Sequence, residues 1–443
     1  MKRVWIVVAL MAVGLMATSV FADVQNIRLS GDVRIRGYYY NYGPAAAAKG
    51  LGDAAFIAQQ TKVTVEADLE DHVMVVVTLK ANGRWGNDNA QNGPGFSNSM
   101  AVKSWNVGMD EAYVQLNQAF FTPATVKVGR QYLNYGRGLI LSSYDQDYNF
   151  DAGRLVLDYY PLTIDLVGAS LVNNQRFAPG ESQSGTGRAA DLLFVNARYE
   201  LTDSLLKDVE VYGGWIAQAR GDQPVGLVNL PSSFNSASPW VIGARADMNI
   251  TKSFKTWIEG TYEGGASGDG DPISAFLLNA GAKFTFADVK MTPAINANYI
   301  YASGGGASGR SYFRPWFDAQ EGMNGYVFKP LLSNIQIFNV GASIKPANNC
   351  SLALEGYYYM KNDKDGAVWT NPNLDVPGAT TIGSDSRYLG WEIDSVLGYD
   401  YSKDVRCQLV YGVFIPGAIH RSSSLQSFDG VAHGVRAELN VKF

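Results

Sequence analysis

Charged side chains recur at every second position along much of this chain, and that spacing, more than any catalytic grouping, is where its chemistry lies. Arg34 and Arg36 alternate with Val33 and Ile35, and Lys62, Glu66 and Asp68 alternate with Val63, Val65 and Ala67. Arg154, Asp158, Arg198, Arg245, Arg436 and Glu438 sit in the same pattern, as does Glu111 against Ala112 and Val114. A period of two sends successive side chains to opposite faces of a strand, so the charges collect on one face and the apolar residues on the other. On the inner wall of a closed sheet such charges become a pore lining. Arginines there hold carboxylates through paired N–H donors, and the balance of bases and acids sets ion preference. Two arrangements are open: Arg and Glu paired across neighbouring strands as a structural lattice, or separate basic and acidic tracks.

Other chemistry is poorly supplied. The histidines, His72, His420 and His433, have no metal-ligand spacing. His420 lies near Ser422 to Ser424 and Asp429, but nothing there specifies a nucleophile, a base and an orienting group together. Gly264 to Asp271 resembles a calcium loop only faintly and reads as a flexible linker. No phosphate-cradling glycine motif opens a helix. The expectation is a protein that is not an enzyme and needs no cofactor. A formal net charge of -5 without a basic tract argues against nucleic acid.

The elements that must position these charges are hairpins. Val63 to Leu69 and Val73 to Leu79 flank the short connection Asp71-His72, and similar pairs follow down the chain. Short connections near Thr122-Pro123, Pro161, Thr202-Asp203, Thr251-Lys252, Asp288, Pro346-Ala347 and Lys403-Asp404 alternate with longer polar loops at 41–58, 85–107, 137–149, 177–189, 221–238, 264–272, 304–334, 362–386 and 420–430. The pattern predicts about eighteen antiparallel strands in one up-and-down transmembrane β-barrel, with short periplasmic turns and long extracellular loops. A β-sandwich rarely sustains so many long hairpins, and no short fixed repeat marks a β-helix. A barrel of this size leaves an aqueous lumen.

The ends of the chain agree. Lys2 and Arg3, the apolar run Val4 to Ala17 and the Val20-Phe21-Ala22 site read as a signal peptide over 1–22, cleaved after Ala22, with a single barrel over 23–443. Beyond it no stretch reaches the roughly twenty apolar residues of a transmembrane helix. The chain holds 47 Gly, 25 Tyr, 20 Phe and 9 Trp in 443 residues, with 17% charged residues. Its mean hydropathy of -0.08 suits alternating strands and aromatic girdles. At the other end Val435, Ala437, Leu439, Val441 and Phe443 oppose Arg436, Glu438, Asn440 and Lys442. A closing strand that ends on an aromatic is similar to the one read by the outer-membrane barrel-assembly machinery. Cys350 and Cys407 are expected on next-but-one strands near the periplasmic rim, roughly two inter-strand spacings apart and beyond ordinary disulfide reach.

One stretch is more specific. Asp110-Glu111-Ala112-Tyr113-Val114, then Val128-Gly129-Arg130-Gln131-Tyr132-Leu133-Asn134-Tyr135-Gly136, then Asn149-Phe150-Asp151-Ala152-Gly153-Arg154-Leu155 resemble the core of the alginate-export family of outer-membrane porins. The resemblance is motif-specific over about 110–155 and architectural over the rest. It implies a monomeric barrel of the Gram-negative outer membrane with an arginine-rich lumen that passes an acidic polysaccharide. It also implies that Glu111, Arg130 and Arg154 line the constriction, with the two arginines facing uronate carboxylates, and that the loop at 85–107 folds into the mouth. Val126 and Val128 share parity with Arg130, so a lumenal Arg130 requires a bulge at Gly129 or a slipped strand. The loop from Gly304 to Asn334, with Arg310, Tyr312, Arg314, Trp316 and Phe317, is expected to cap the barrel.

The expected function is an outer-membrane channel for passive passage of hydrophilic solutes, anionic ones or an acidic polysaccharide such as alginate among them. A general or small-solute porin is the first alternative, and a barrel enzyme or adhesin the second. The expected partners are outer-membrane lipid and lipopolysaccharide, the assembly machinery through Phe443, and the solute.

Overall fold

The computed structural model describes residues 25–41, 53–69, 72–86, 106–119, 122–143, 149–173, 189–201, 205–218, 238–266, 272–305, 311–313, 316, 323–364, 366, 368, 386–417 and 430–443. The signal peptide and its cleavage site, the bulk of the loop at 85–107, the glycine-rich stretch from residue 267 to 271 and the His420 to Asp429 segment lie outside the described residues.

Eighteen strands form one sheet that closes on itself. They are β1 (Asn26–Asn41), β2 (Ala54–Asp68), β3 (Val73–Arg84), β4 (Asn106–Leu116), β5 (Ala124–Gln131) and β6 (Phe150–Tyr159). Then come β7 (Leu162–Asn173), β8 (Ala189–Glu200), β9 (Leu206–Gln218), β10 (Trp240–Asn249), β11 (Phe254–Ala266) and β12 (Pro272–Thr285). The series ends with β13 (Ala294–Ala302), β14 (Ile335–Ala347), β15 (Cys350–Lys361), β16 (Tyr388–Asp400), β17 (Val405–Pro416) and β18 (Ala432–Lys442). Each strand pairs antiparallel with its sequence neighbours, and β1 pairs with β18. This is the up-and-down barrel that the alternation predicts.

Closure is set by residues at the two ends of the chain. The Gly31 N–H donates to the Phe443 carbonyl at 2.9 Å, and the Phe443 N–H donates back to Gly31 at 3.0 Å. Arg36 stands directly opposite Glu438, and Tyr39 opposite Val435. With no free edge, every ladder donor and acceptor finds a partner inside the sheet, as a hydrocarbon surround demands.

The alternation becomes two surfaces. Ile27, Leu29, Val114, Val195, Val211 and Leu354 point outward and are exposed, forming the band that meets lipid acyl chains. Their neighbours Arg28, Tyr113, Asn196, Tyr212 and Glu355 point into the lumen. Cys350 and Cys407 both pair with Tyr399 of the intervening strand, on opposite sides of it, and remain free thiols.

Candidate functional site

The lumen is divided by a loop that leaves β5 and turns inward. Its residues Leu133, Leu139 and Leu141 are fully buried, which a loop over an open mouth would not achieve. Both ends hang on one carboxylate. Asp110 accepts the Tyr132 hydroxyl and the Asn149 amide, the latter at 3.1 Å, and pairs with Lys62 at 2.9 Å and Lys80 at 2.8 Å. Asp110 reaches that position through a bulge. The register of β3 against β4 shifts so that Thr78 faces Glu111 while Leu79 faces Met109. The extra residue lets consecutive Asp110 and Glu111 both point inward.

The loop tip crosses to the far wall. The Gly136 N–H donates to Glu210 on β9 at 2.8 Å, and the Arg137 N–H donates to Glu259 on β11 at 3.0 Å. Arg245 on β10 donates to the Gly136 carbonyl at 3.0 Å and to Glu210 at 2.8 Å, and also pairs with Asp208 and Asp247. Gly136 has φ +61°, and a Cβ there would collide with the Glu259 carboxylate. The Arg137 guanidinium lies 4.6 Å over the Trp257 ring and 3.1 Å from Asp247. Burial pulls its proton affinity down, and the Asp247 carboxylate opposes that shift.

A second inward segment, 323–334, follows β13. Its backbone N–H groups at Tyr326, Val327 and Phe328 donate to Glu392 at 2.7, 2.7 and 2.8 Å. Phe328 stacks on Phe414 at 4.4 Å, and the Tyr359 hydroxyl donates to the Asn324 carbonyl at 3.0 Å. Three successive amides around one carboxylate form an anion nest turned to structural use.

These contacts sort the charges of the wall. Among the described residues, eight acids are buried: Asp110, Asp165, Asp208, Glu210, Glu259, Glu263, Glu392 and Asp394. Only two bases are, Lys361 and Arg436. Asp110, Glu210, Glu259, Glu392 and Asp394 accept donors from the inward segments, while Asp165 and Asp208 pair with wall arginines. Lys62 and Lys80 keep 18% and 13% of their side-chain surface open beside an Asp110 at 0%. The inward loops pack against Phe194, Tyr212, Ile216, Ile300 and Tyr359 on the β8 to β15 side.

A model described as alginate export matches residues 26–429. The chain belongs to the alginate-export family. No protein of curated function matches it in sequence. Among solved structures it is similar to Pseudomonas aeruginosa OpdK with vanillate, at 12% identity and a TM-score of 0.57, covering 94% of this chain and 98% of that one. Acinetobacter baumannii OccAB1 shares 12% identity and a TM-score of 0.59 over 97% of this chain and 99% of its own. Pseudomonas aeruginosa OccK2 (OpdF) with glucuronate shares 10% identity and a TM-score of 0.57, over 95% and 99%. This alginate-export family member is thus an outer-membrane porin channel in contact with membrane lipid.

Within the family barrel the register turns Arg34, Arg36, Glu111, Arg154, Asp158, Arg198, Arg245, Arg436 and Glu438 inward. Arg36 pairs with Glu438, and Arg154 with Asp165 at 2.5 Å. Arg198 pairs with Glu200 at 3.3 Å and Asp208 at 3.4 Å, and Asp158 accepts the Thr163 hydroxyl at 3.2 Å. Arg436 is buried, donates to Gln408 at 2.6 Å and lies 5.1 Å over the Tyr326 ring. Neighbour pairing thus occupies Arg36, Arg154 and Arg198, while Glu210, Glu259 and Glu392 serve the inward loops.

Arg130 departs from the expected lumenal position. Neither the β4–β5 nor the β5–β6 ladder contains a register shift, so Arg130 shares the outward face of Val128, which is 52% exposed. It pairs side by side with Asp151 at 2.8 and 2.9 Å. Gly129, at φ +130°, lies flat against Tyr113 without adding a residue to the ladder. The tip residues that do cross the lumen are Gly136 and Arg137. Alternation puts Glu259 and Glu392 on the inward face but does not mark them as loop anchors, and it does not single out Asp110 or Arg137. The adjacent acids Asp110-Glu111 were the available signal, since two inward charges in a row require a bulge. In the segment expected as a cap, Tyr312, Phe313 and Trp316 are buried.

Proposed function

We propose that this channel passes anionic hydrophilic solutes, carboxylated sugars or an acidic polysaccharide such as alginate, by diffusion along the basic wall of β1 to β5. The observation that carries the reading is the unequal burial of charge among the described residues: eight acids are buried, several of them as loop anchors, against two bases. A carboxylate entering there exchanges water for short-lived contacts with Arg34, Arg36, Lys62 and Lys80. Each is tempered by an acid or amide neighbour, so binding is strong enough to admit and weak enough to release. Vanillate and glucuronate, found with two structures of similar fold, are both carboxylates.

The barrel closes on itself, so passage needs no second copy, and the reading includes no catalytic step. The mature chain begins after Ala22 and is delivered to the assembly machinery by the last strand and Phe443. Reversal potential in a planar bilayer tests the reading, with oligouronates added as blockers. Anion preference with oligouronate block supports it. Anion preference without block restricts the solutes to small anions, and cation preference or no conductance overturns it.

A further inference from the structure

Above the charges of the inner wall lies a row of aromatic rings. Tyr38 on β1 stands directly opposite Phe56 on β2, both on the inward face at the loop end of their strands. Among the described strand residues, the inward phenylalanines Phe150, Phe194 and Phe414 are buried, whereas Phe56 is partly exposed. Tyr38 is partly exposed as well. Apolar rings beside a few placed charges are the usual make-up of a ligand site.

The charges are placed one step below. Arg36, Ala58 and Arg84 are cross-strand partners in a single row over β1, β2 and β3. At the next inward positions β2 carries Gln60 and Lys62, both long, but at Ala58 a methyl group is all that stands between the two arginines. Their backbones lie two inter-strand spacings apart, about 9–10 Å. The wall is therefore notched at Ala58, with a guanidinium-bearing side chain on each side and the Tyr38–Phe56 ledge above.

The parts of this notch are held in place before any solute arrives. The Arg84 guanidinium lies 4.1 Å over the Phe56 ring, Phe56 stacks on Tyr38 at 4.8 Å, and Tyr38 stacks on Tyr40 at 6.0 Å. Tyr40 is buried in the core that includes Val327 and Phe328 of the second inward segment. A ledge anchored in this way loses little freedom on binding. Stacking sets the Arg84 guanidinium plane against the ring and leaves its N–H edge to meet a carboxylate. Arg36 is steadied from the other side by Glu438.

We propose that the Ala58 notch is a subsite for a carboxylate borne on a ring, the carboxylate between Arg36 and Arg84 and the ring against Phe56 and Tyr38. The proposal rests on the channel reading above and narrows it from anions in general to one class, pyranose uronates or aryl acids. An acyclic carboxylate of equal charge reaches the same arginines but leaves the ledge in water. The ring-borne solute therefore dwells longer. Phe56, Ala58 and Arg84 lie outside the signature stretch at 110–155.

Current interruptions in planar bilayers holding the full barrel test the subsite, with glucuronate, benzoate and gluconate compared at equal concentration. Glucuronate, benzoate or both are expected to dwell severalfold longer than the acyclic gluconate, and which of them does so separates a pyranose from an aryl source. Phe56→Ala should bring the ring-borne dwell time down to the gluconate level and leave gluconate unchanged. Ala58→Leu, which fills the notch, should do the same. Equal dwell times for all three solutes overturn the proposal. So does a Phe56→Ala loss shared equally by gluconate, which would make the ring only a prop for Arg84. Anion preference with equal dwell times removes the subsite and leaves the channel reading standing, whereas cation preference overturns both.

Discussion

The Glu259 carboxylate on β11 accepts the backbone N–H of Arg137 at 3.0 Å, across the lumen from the strand that launches the loop. A wall acid is thereby converted from a pore charge into a loop anchor. It also accepts the Tyr212 hydroxyl at 2.7 Å, so its loss strands two buried donors. Glu259→Ala should cost about 2 kcal/mol of stability. It should also raise single-channel conductance and current noise as the tip loosens, measured in the same bilayer recordings.

Asp110 holds both ends of the same loop and offsets Lys62 and Lys80. Asp110→Asn keeps the shape and removes the charge, leaving two uncompensated ammonium groups at the passage. Anion preference should rise, seen as a larger shift in reversal potential. An unchanged value would mean the two lysines do not face the ion path.

Selectivity should separate the outward arginine of the signature stretch from the bases of the inner wall. Arg130→Ala, on the outward face beside Asp151, should leave reversal potential where it is. Arg36→Ala and Lys80→Ala, on the inner wall, should each lower anion preference. A fall with Arg130→Ala would place that side chain in the lumen after all.

Gly129→Ala tests the backbone of the motif. Its φ of +130° is costly for an L-residue, and a Cβ would collide with the Ala112 carbonyl oxygen and come within 2.7 Å of the Tyr113 Cα. A loss of about 2 kcal/mol or more is expected, read as a lower temperature for loss of the folded-barrel band on gels.

The thiols of Cys350 and Cys407 flank Tyr399 and are both free. Each should react with a maleimide in the detergent-solubilised folded barrel, giving two additions by mass. Reductant should not alter the gel mobility of untreated protein. A mobility change would reveal a bridge.

Strand number, alternation and the identity of the closing strand were legible because a two-residue period is local: Val435 and Arg436 face oppositely whatever surrounds them. The inward turn of most candidate site residues followed from the same parity. Parity also contained the truth about Arg130, whose match with Val126 and Val128 placed it outward. The family motif pulled against that reading, and only the unshifted ladders on both sides of β5 decided between them.

What the sequence could not express was the use of the charges. Glu210, Glu259 and Glu392 look like any other inward acid, because the donors they accept are backbone amides of segments 136–137 and 326–328, and amides carry no side-chain signature. The chain by itself determined a closed barrel with a charged inner wall. The tertiary structure decided which charges remain beside the passage, since that depends on where distant loops return and which carboxylates they cover.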